Sequence, residues 1–86
     1  MKSIWKFPLD ITDTQQLQTP SNYLALSVQL QQGQPMLWAL VDKSSQPIEV
    51  EILCFGTGHP VPDEAQKYLG TVQLDNLVFH YFAKGE

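Results

Sequence analysis

Apolar side chains recur at every second position through most of the chain, and no segment sustains the three-to-four-residue spacing of a helix. Ser3 to Leu9 alternates, with Trp5, Phe7 and Leu9 on one side and Lys6 on the other, the pattern of a half-buried strand. Pro8 cannot donate to a ladder, so this strand ends near it or lies at a sheet edge. Tyr23 to Gln31 sets Leu24, Leu26, Val28 and Leu30 on one face and Ala25, Ser27, Gln29 and Gln31 on the other. A turn at Gln32-Gly33-Gln34-Pro35 leads into Met36 to Val41, apolar on both faces as expected of a central strand covered on both sides. Together these predict a hairpin. After a loop over Asp42 to Pro47, Ile48 to Phe55 alternates again, with Ile48, Val50, Ile52 and Cys54 inward and Glu49 and Glu51 outward. Tyr68 to Leu74 and Leu77 to Phe82 make a last pair of strands, joined at Asp75-Asn76, which tolerates the positive φ of a tight hairpin turn.

Two segments are less regular. Asp10 to Asn22 is polar and reads as an edge strand over Thr14 to Gln18, with a single helical turn capped by Asp13 as the alternative. Gly56 to Lys67 holds glycines, prolines and acids, and Pro62-Asp63-Glu64-Ala65 has the residues of one helical turn. The sum is an all-β fold: a small antiparallel β-sandwich or partly open barrel of five to seven strands, forming one domain over residues 1–86.

Composition narrows the function classes. Hydrophobic residues are 43% of the chain and charged residues 16%, so the surface must use Gln, Ser, Thr and apolar groups, as surfaces that meet a partner do. The net charge is -4, and the five lysines are scattered with no arginine among them, which argues against a nucleic-acid polymer as ligand. One cysteine, Cys54, rules out an intramolecular disulfide. No charged-then-apolar leader opens the chain, and no apolar run approaches the roughly 18 residues of a membrane span. The expectation is a cytoplasmic protein that does not engage membranes.

The feature least like filler is Gly56-Thr57-Gly58-His59-Pro60, a glycine-rich turn leaving a core strand. Successive N–H groups in such a turn form a concave nest for a phosphate or carboxylate, with Thr57 and His59 as further donors; the plainer reading is that a strand turning sharply needs its glycines. His80 stands on the last strand on the face of Val78 and Phe82. The His and Cys spacings match no zinc motif, Cys54 points into an apolar strand, and no serine sits in a nucleophile elbow, so neither a metal, a cofactor nor a catalytic residue is expected. Alternation leaves more aromatics than one core absorbs, with Trp38 opposite Leu37. An exposed Trp or Tyr is where a partner lands, and Trp38 and Tyr81 are the candidates. Open sheet edges invite pairing, so a homo-oligomer is expected.

The blocks Ile4-Trp5-Lys6, Leu26-Ser27-Val28-Gln29, Leu37 to Asp42, Gly56 to Pro60, Tyr68-Leu69-Gly70-Thr71 and Leu77 to His80 give the chain a resemblance over nearly its whole length. It resembles a family of short proteins encoded by bacteriophages and prophages. That resemblance implies an accessory protein that antagonises a host defence factor, by occupying a protein surface or by trapping a small anionic, nucleotide-like ligand between subunits. It supplies no site residues. A structural or assembly accessory of the phage particle is the alternative, and a small hydrolase or metal-binding protein a third.

Overall fold

Seven strands, all antiparallel, form two sheets packed face to face; the computed structural model describes residues 1–85. In chain order they are β1 (Lys2–Pro8), β2 (Thr14–Pro20), β3 (Tyr23–Gln31), β4 (Gln34–Asp42), β5 (Pro47–Gly56), β6 (Ala65–Leu74) and β7 (Leu77–Lys84). Sheet A runs β1-β4-β3 and sheet B runs β2-β5-β7-β6. The result is an open sandwich, one of the two architectures expected, and both irregular segments resolve without a helix among the described residues. β2 is the edge strand anticipated over Thr14 to Gln18, whereas the segment at Pro62 is a turn from which β6 departs at Ala65.

Alternation sets the core. Leu37, Ala39 and Val41 of β4, Val28 of β3, Ile52 and Cys54 of β5, Leu69 and Val72 of β6, and Tyr81 and Ala83 of β7 are all buried between the sheets. Leu9, just past β1, joins them. Its N–H donates to the Pro35 carbonyl at 3.0 Å, and its own carbonyl accepts from Gln34 Nε2 at 2.7 Å, which anchors the crossing from sheet A to sheet B.

Turn chemistry fixes the hairpins. Gln32 and Gly33 both have positive φ (52° and 79°), the mirror-image turn that matches strand twist, and Asp75 does the same at 56° between β6 and β7. In the β4–β5 loop the Ser44 hydroxyl and N–H donate to Asp42 Oδ1 at 2.6 and 3.1 Å. These bonds hold the Asp42 carboxyl below the usual carboxylate range.

Two of the three register shifts among the described strands reshape the expected faces. In β3 the register shifts between Ala25 and Ser27, so Leu24 pairs with Leu40 and Val28 with Leu37. Leu24 and Leu26 therefore do not share a face with Val28 and Leu30: they point outward, 60% and 47% exposed, while Val28 is buried. A single extra residue reverses the alternation. In β6 the shift between Tyr68 and Gly70 places the buried Leu69 and Gly70 side by side. These bulged strands meet at one flank of the sandwich, where the Gly70 backbone lies against Val28.

Cys54 is buried beside Tyr81, and burial raises its thiol pKa. Because the thiolate is the reactive form, a disulfide reagent at pH 8 is expected to label native Cys54 about 10³-fold slower than a free thiol, limited by opening of the sandwich. Stopped-flow labelling against denaturant measures this, and rapid native labelling would contradict the packing.

Candidate functional sites on the two outer faces

The outer face of sheet A is built by strand pairing. Ile4, Leu40 and Leu24 stand side by side on β1, β4 and β3; Lys6, Trp38 and Ser27 form the next row, and Pro8, Met36 and Gln29 the third. Ile4 is 61% exposed, while Met36, Trp38 and Leu40 are half-buried through flanking neighbours rather than through another layer. Lys6 reaches Gln31 Oε1 at 2.9 Å, on the far edge strand of the same sheet. Beside Leu24 and Leu40 an open hollow of about 340 Å³ is completed by Lys2, Asn22 and Tyr23.

Here the sequence expectation needs correction: β4 is central in its sheet, but only its Leu37-Ala39-Val41 face is covered. Trp38 stands, half-buried, in the middle of the uncovered face. Tyr81 does not share that position. It is wholly buried, its hydroxyl donating to the Asp10 carbonyl at 3.1 Å, so it is a core residue; burial also raises its phenol pKa.

The outer face of sheet B receives the glycine-rich turn. Gly58 has φ 93°, which Gly adopts without strain, and the His59 ring folds back over Gly56, within 3.4 Å of where a Cβ there would stand. Thr57 N–H donates to the Val78 carbonyl at 3.3 Å and His59 N–H to the Gly56 carbonyl at 3.1 Å. A nest built on the Thr57 and His59 amides is therefore not assembled, since both close the turn itself. What the turn offers instead is the Thr57 hydroxyl, 2.8 Å from His80 Nε2. Thr71 Oγ1 lies 3.0 Å from His80 Nδ1 and is hydrogen-bonded in turn to the Tyr68 hydroxyl. Below this chain Phe82 packs edge-on against Tyr68 and Phe55, with centroids 5.5 and 5.9 Å apart.

Thr57 and His80 were each visible in the sequence, but Thr71 and Tyr68 were not singled out. Their placement follows from the β6–β7 register, which pairs Thr71 with His80 and Tyr68 with Phe82. The array has both ring nitrogens engaged by hydroxyls, an arrangement that orients imidazole and ties the turn to β6 and β7. Among the described residues no group of His, Cys, Asp and Glu is arranged to hold a metal ion, and no helix is long and apolar enough to cross a membrane. The larger hollow, about 690 Å³, opens where β5 and β7 diverge, between Glu49 and Glu51 on one wall and Lys67 and Lys84 on the other.

Fold and surfaces together define a small seven-stranded antiparallel β-sandwich with one apolar and one hydroxyl-rich outer face. The chain belongs to the DUF7352 family, described as a domain of unknown function, the match spanning residues 1–86. Neither the curated proteins nor the solved structures contain a match to it. The family description names no activity or ligand.

Proposed function

We propose that this protein is a non-enzymatic binding module whose working surface is the outer face of sheet A, where it occupies a surface of a protein partner. The observation that carries the reading is the patch formed by Ile4, Leu24, Leu26, Met36, Trp38 and Leu40, contiguous across three strands of one sheet. A sandwich needs only its inner faces apolar; monomeric proteins rarely leave such a patch in water unless it meets something. Trp38 at the centre, flanking aliphatics and a hollow beside Leu24 and Leu40 have the make-up of an interface anchor. In the setting implied by the resemblance to phage and prophage proteins, the partner is a host defence factor.

A second reading places a small anionic ligand on sheet B. Its support is the array of Thr57, His80, Thr71 and Tyr68 beside Gly56, Gly58 and His59.

Native mass spectrometry of the protein recovered from cells that normally make it separates the two. The expected result is a bound protein lost in Leu24→Lys and in Trp38→Ala, both variants keeping their β-sheet circular dichroism. A retained small molecule lost in Thr57→Val would move the function to sheet B. Protein binding that survives both sheet A variants would overturn the first reading.

A further inference from the structure

Two open sheets leave four edge strands, and three are protected. β3 and β6 carry bulges and close on each other at Val28 and Gly70, while β1 carries Lys2, Lys6 and Pro8. β2 carries neither bulge nor charge: Thr-Gln-Gln-Leu-Gln-Thr-Pro is uncharged, and its register with β5 is unbroken from Thr14 to Pro20. Pro20 alone interrupts its supply of donors.

The direction of each backbone group on β2 follows from two hydrogen bonds at its ends. Cys54 N–H donates to the Asp13 carbonyl and Ser21 N–H to the Gln46 carbonyl, so the odd-numbered residues turn their backbone groups to β5. Thr14, Gln16, Gln18 and Pro20 therefore turn theirs to the open edge. Gln16 and Gln18 offer both groups. Thr14 offers its N–H, because its carbonyl already accepts from the Thr12 hydroxyl at 3.0 Å; Pro20 is buried, has no N–H, and its carbonyl accepts from the Thr19 hydroxyl at 3.3 Å.

We propose that two copies of this chain pair antiparallel through β2, about a two-fold axis at Leu17. In that register Gln16 faces Gln18 of the second copy and exchanges both N–H···O bonds with it, and Thr14 faces Pro20. The donor that Pro20 lacks then stands opposite the acceptor that Thr12 has already satisfied, so the bonds that join the copies are those exchanged in the two Gln16–Gln18 pairs. Leu17, half-buried on the inner face against the core, meets its symmetry mate in a non-hydrogen-bonded pair, where Cα atoms lie about 4.5 Å apart. The two four-stranded sheets become one continuous sheet. No residue of the sheet A patch takes part, so this inference stands or falls apart from the binding surface proposed above.

Sedimentation equilibrium tests it. The intact chain is expected to show a reversible dimer, and Gln16→Pro to weaken it at least about tenfold; the substitution removes an N–H that β5 does not use, on an edge strand that tolerates Pro. Leu17→Cys is expected to give a disulfide-linked dimer on mild oxidation, because about 4.5 Å between Cα atoms suits that bond and buried Cys54 stays unreactive. Leu26→Cys, on sheet A, is expected to give none. A monomer at every concentration, or a dimer indifferent to Gln16→Pro that crosslinks through Leu26→Cys, overturns the proposal. Should Gln16→Pro lose its β-sheet signal, crosslinking decides, and a folded Leu17→Cys that stays monomeric refutes the pairing.

Discussion

Gly70→Ala is expected to lower the stability of the sandwich by about 2 kcal/mol, in the range measured when a methyl group is forced into a filled core. A Cβ built at Gly70 would stand 2.7 Å from Val28 Cβ and 2.8 Å from its backbone nitrogen. Neither atom is the end of a flexible side chain, so relief requires the β3 and β6 backbones to separate at the flank where they meet. Alanine would otherwise gain some tenths of a kcal/mol over glycine in a strand through the unfolded chain; the clash outweighs it. For a chain of 86 residues the loss corresponds to a Tm lower by on the order of 10 °C. Val28→Ala should not rescue the variant, because it removes the γ carbons and leaves the two nearest atoms in place. Thermal unfolding of the two single variants and the double variant checks this. An unchanged Tm in Gly70→Ala would mean that the flank is open rather than closed.

How much of this the sequence disclosed depended on whether the controlling interaction was local. The β6–β7 turn was legible because Asp75-Asn76 carries its own conformational preference, and Asp75 does take positive φ. β1, β3 and β5 followed from alternation, a local property of each strand, and β4 from its apolar run after the turn at Gln32-Gly33. The β3 bulge was not legible: Leu24, Leu26, Val28 and Leu30 alternate without a break, and only pairing with β4 reveals that the chain gains a residue near Leu26. Gly70 looked like any strand glycine, since its role is an approach to a residue 42 positions away. For the same reason the glycine turn was read for its amides, whereas its contact with His80 depends on register. Trp38 as a surface aromatic was deducible from alternation against Leu37; Tyr81 was misplaced because its strand pairs so that the phenol, not His80, faces the core. That second layer over Met36, Trp38 and Leu40 was inferred from apolar character alone, and apolar character does not say whether the cover is the chain's own or another molecule's.

Substitution of neighbouring residues on β4 separates those two kinds of cover. Leu37 is 1% exposed, paired with Phe7 and Val28 on either side, and Leu37→Ala should cost about 3 kcal/mol through lost burial and the cavity left behind. Its Tm is expected to fall by on the order of 15 °C. Trp38→Ala removes a larger side chain from the other face of the same strand, over which no strand of the described residues packs. At low protein concentration its stability should change by less than about 1 kcal/mol, since the lost contacts are those with flanking neighbours on one sheet. Denaturant titration of both variants gives the comparison. A large loss in Trp38→Ala would show that the outer face of sheet A is held by the chain's own packing, and the case for a partner there would fail. If instead the larger truncation is the milder one, the hydrophobic investment in Trp38, Leu40, Leu24 and Ile4 is not accounted for by the stability of the isolated chain, and a contact made outside it is the remaining use for so much apolar surface.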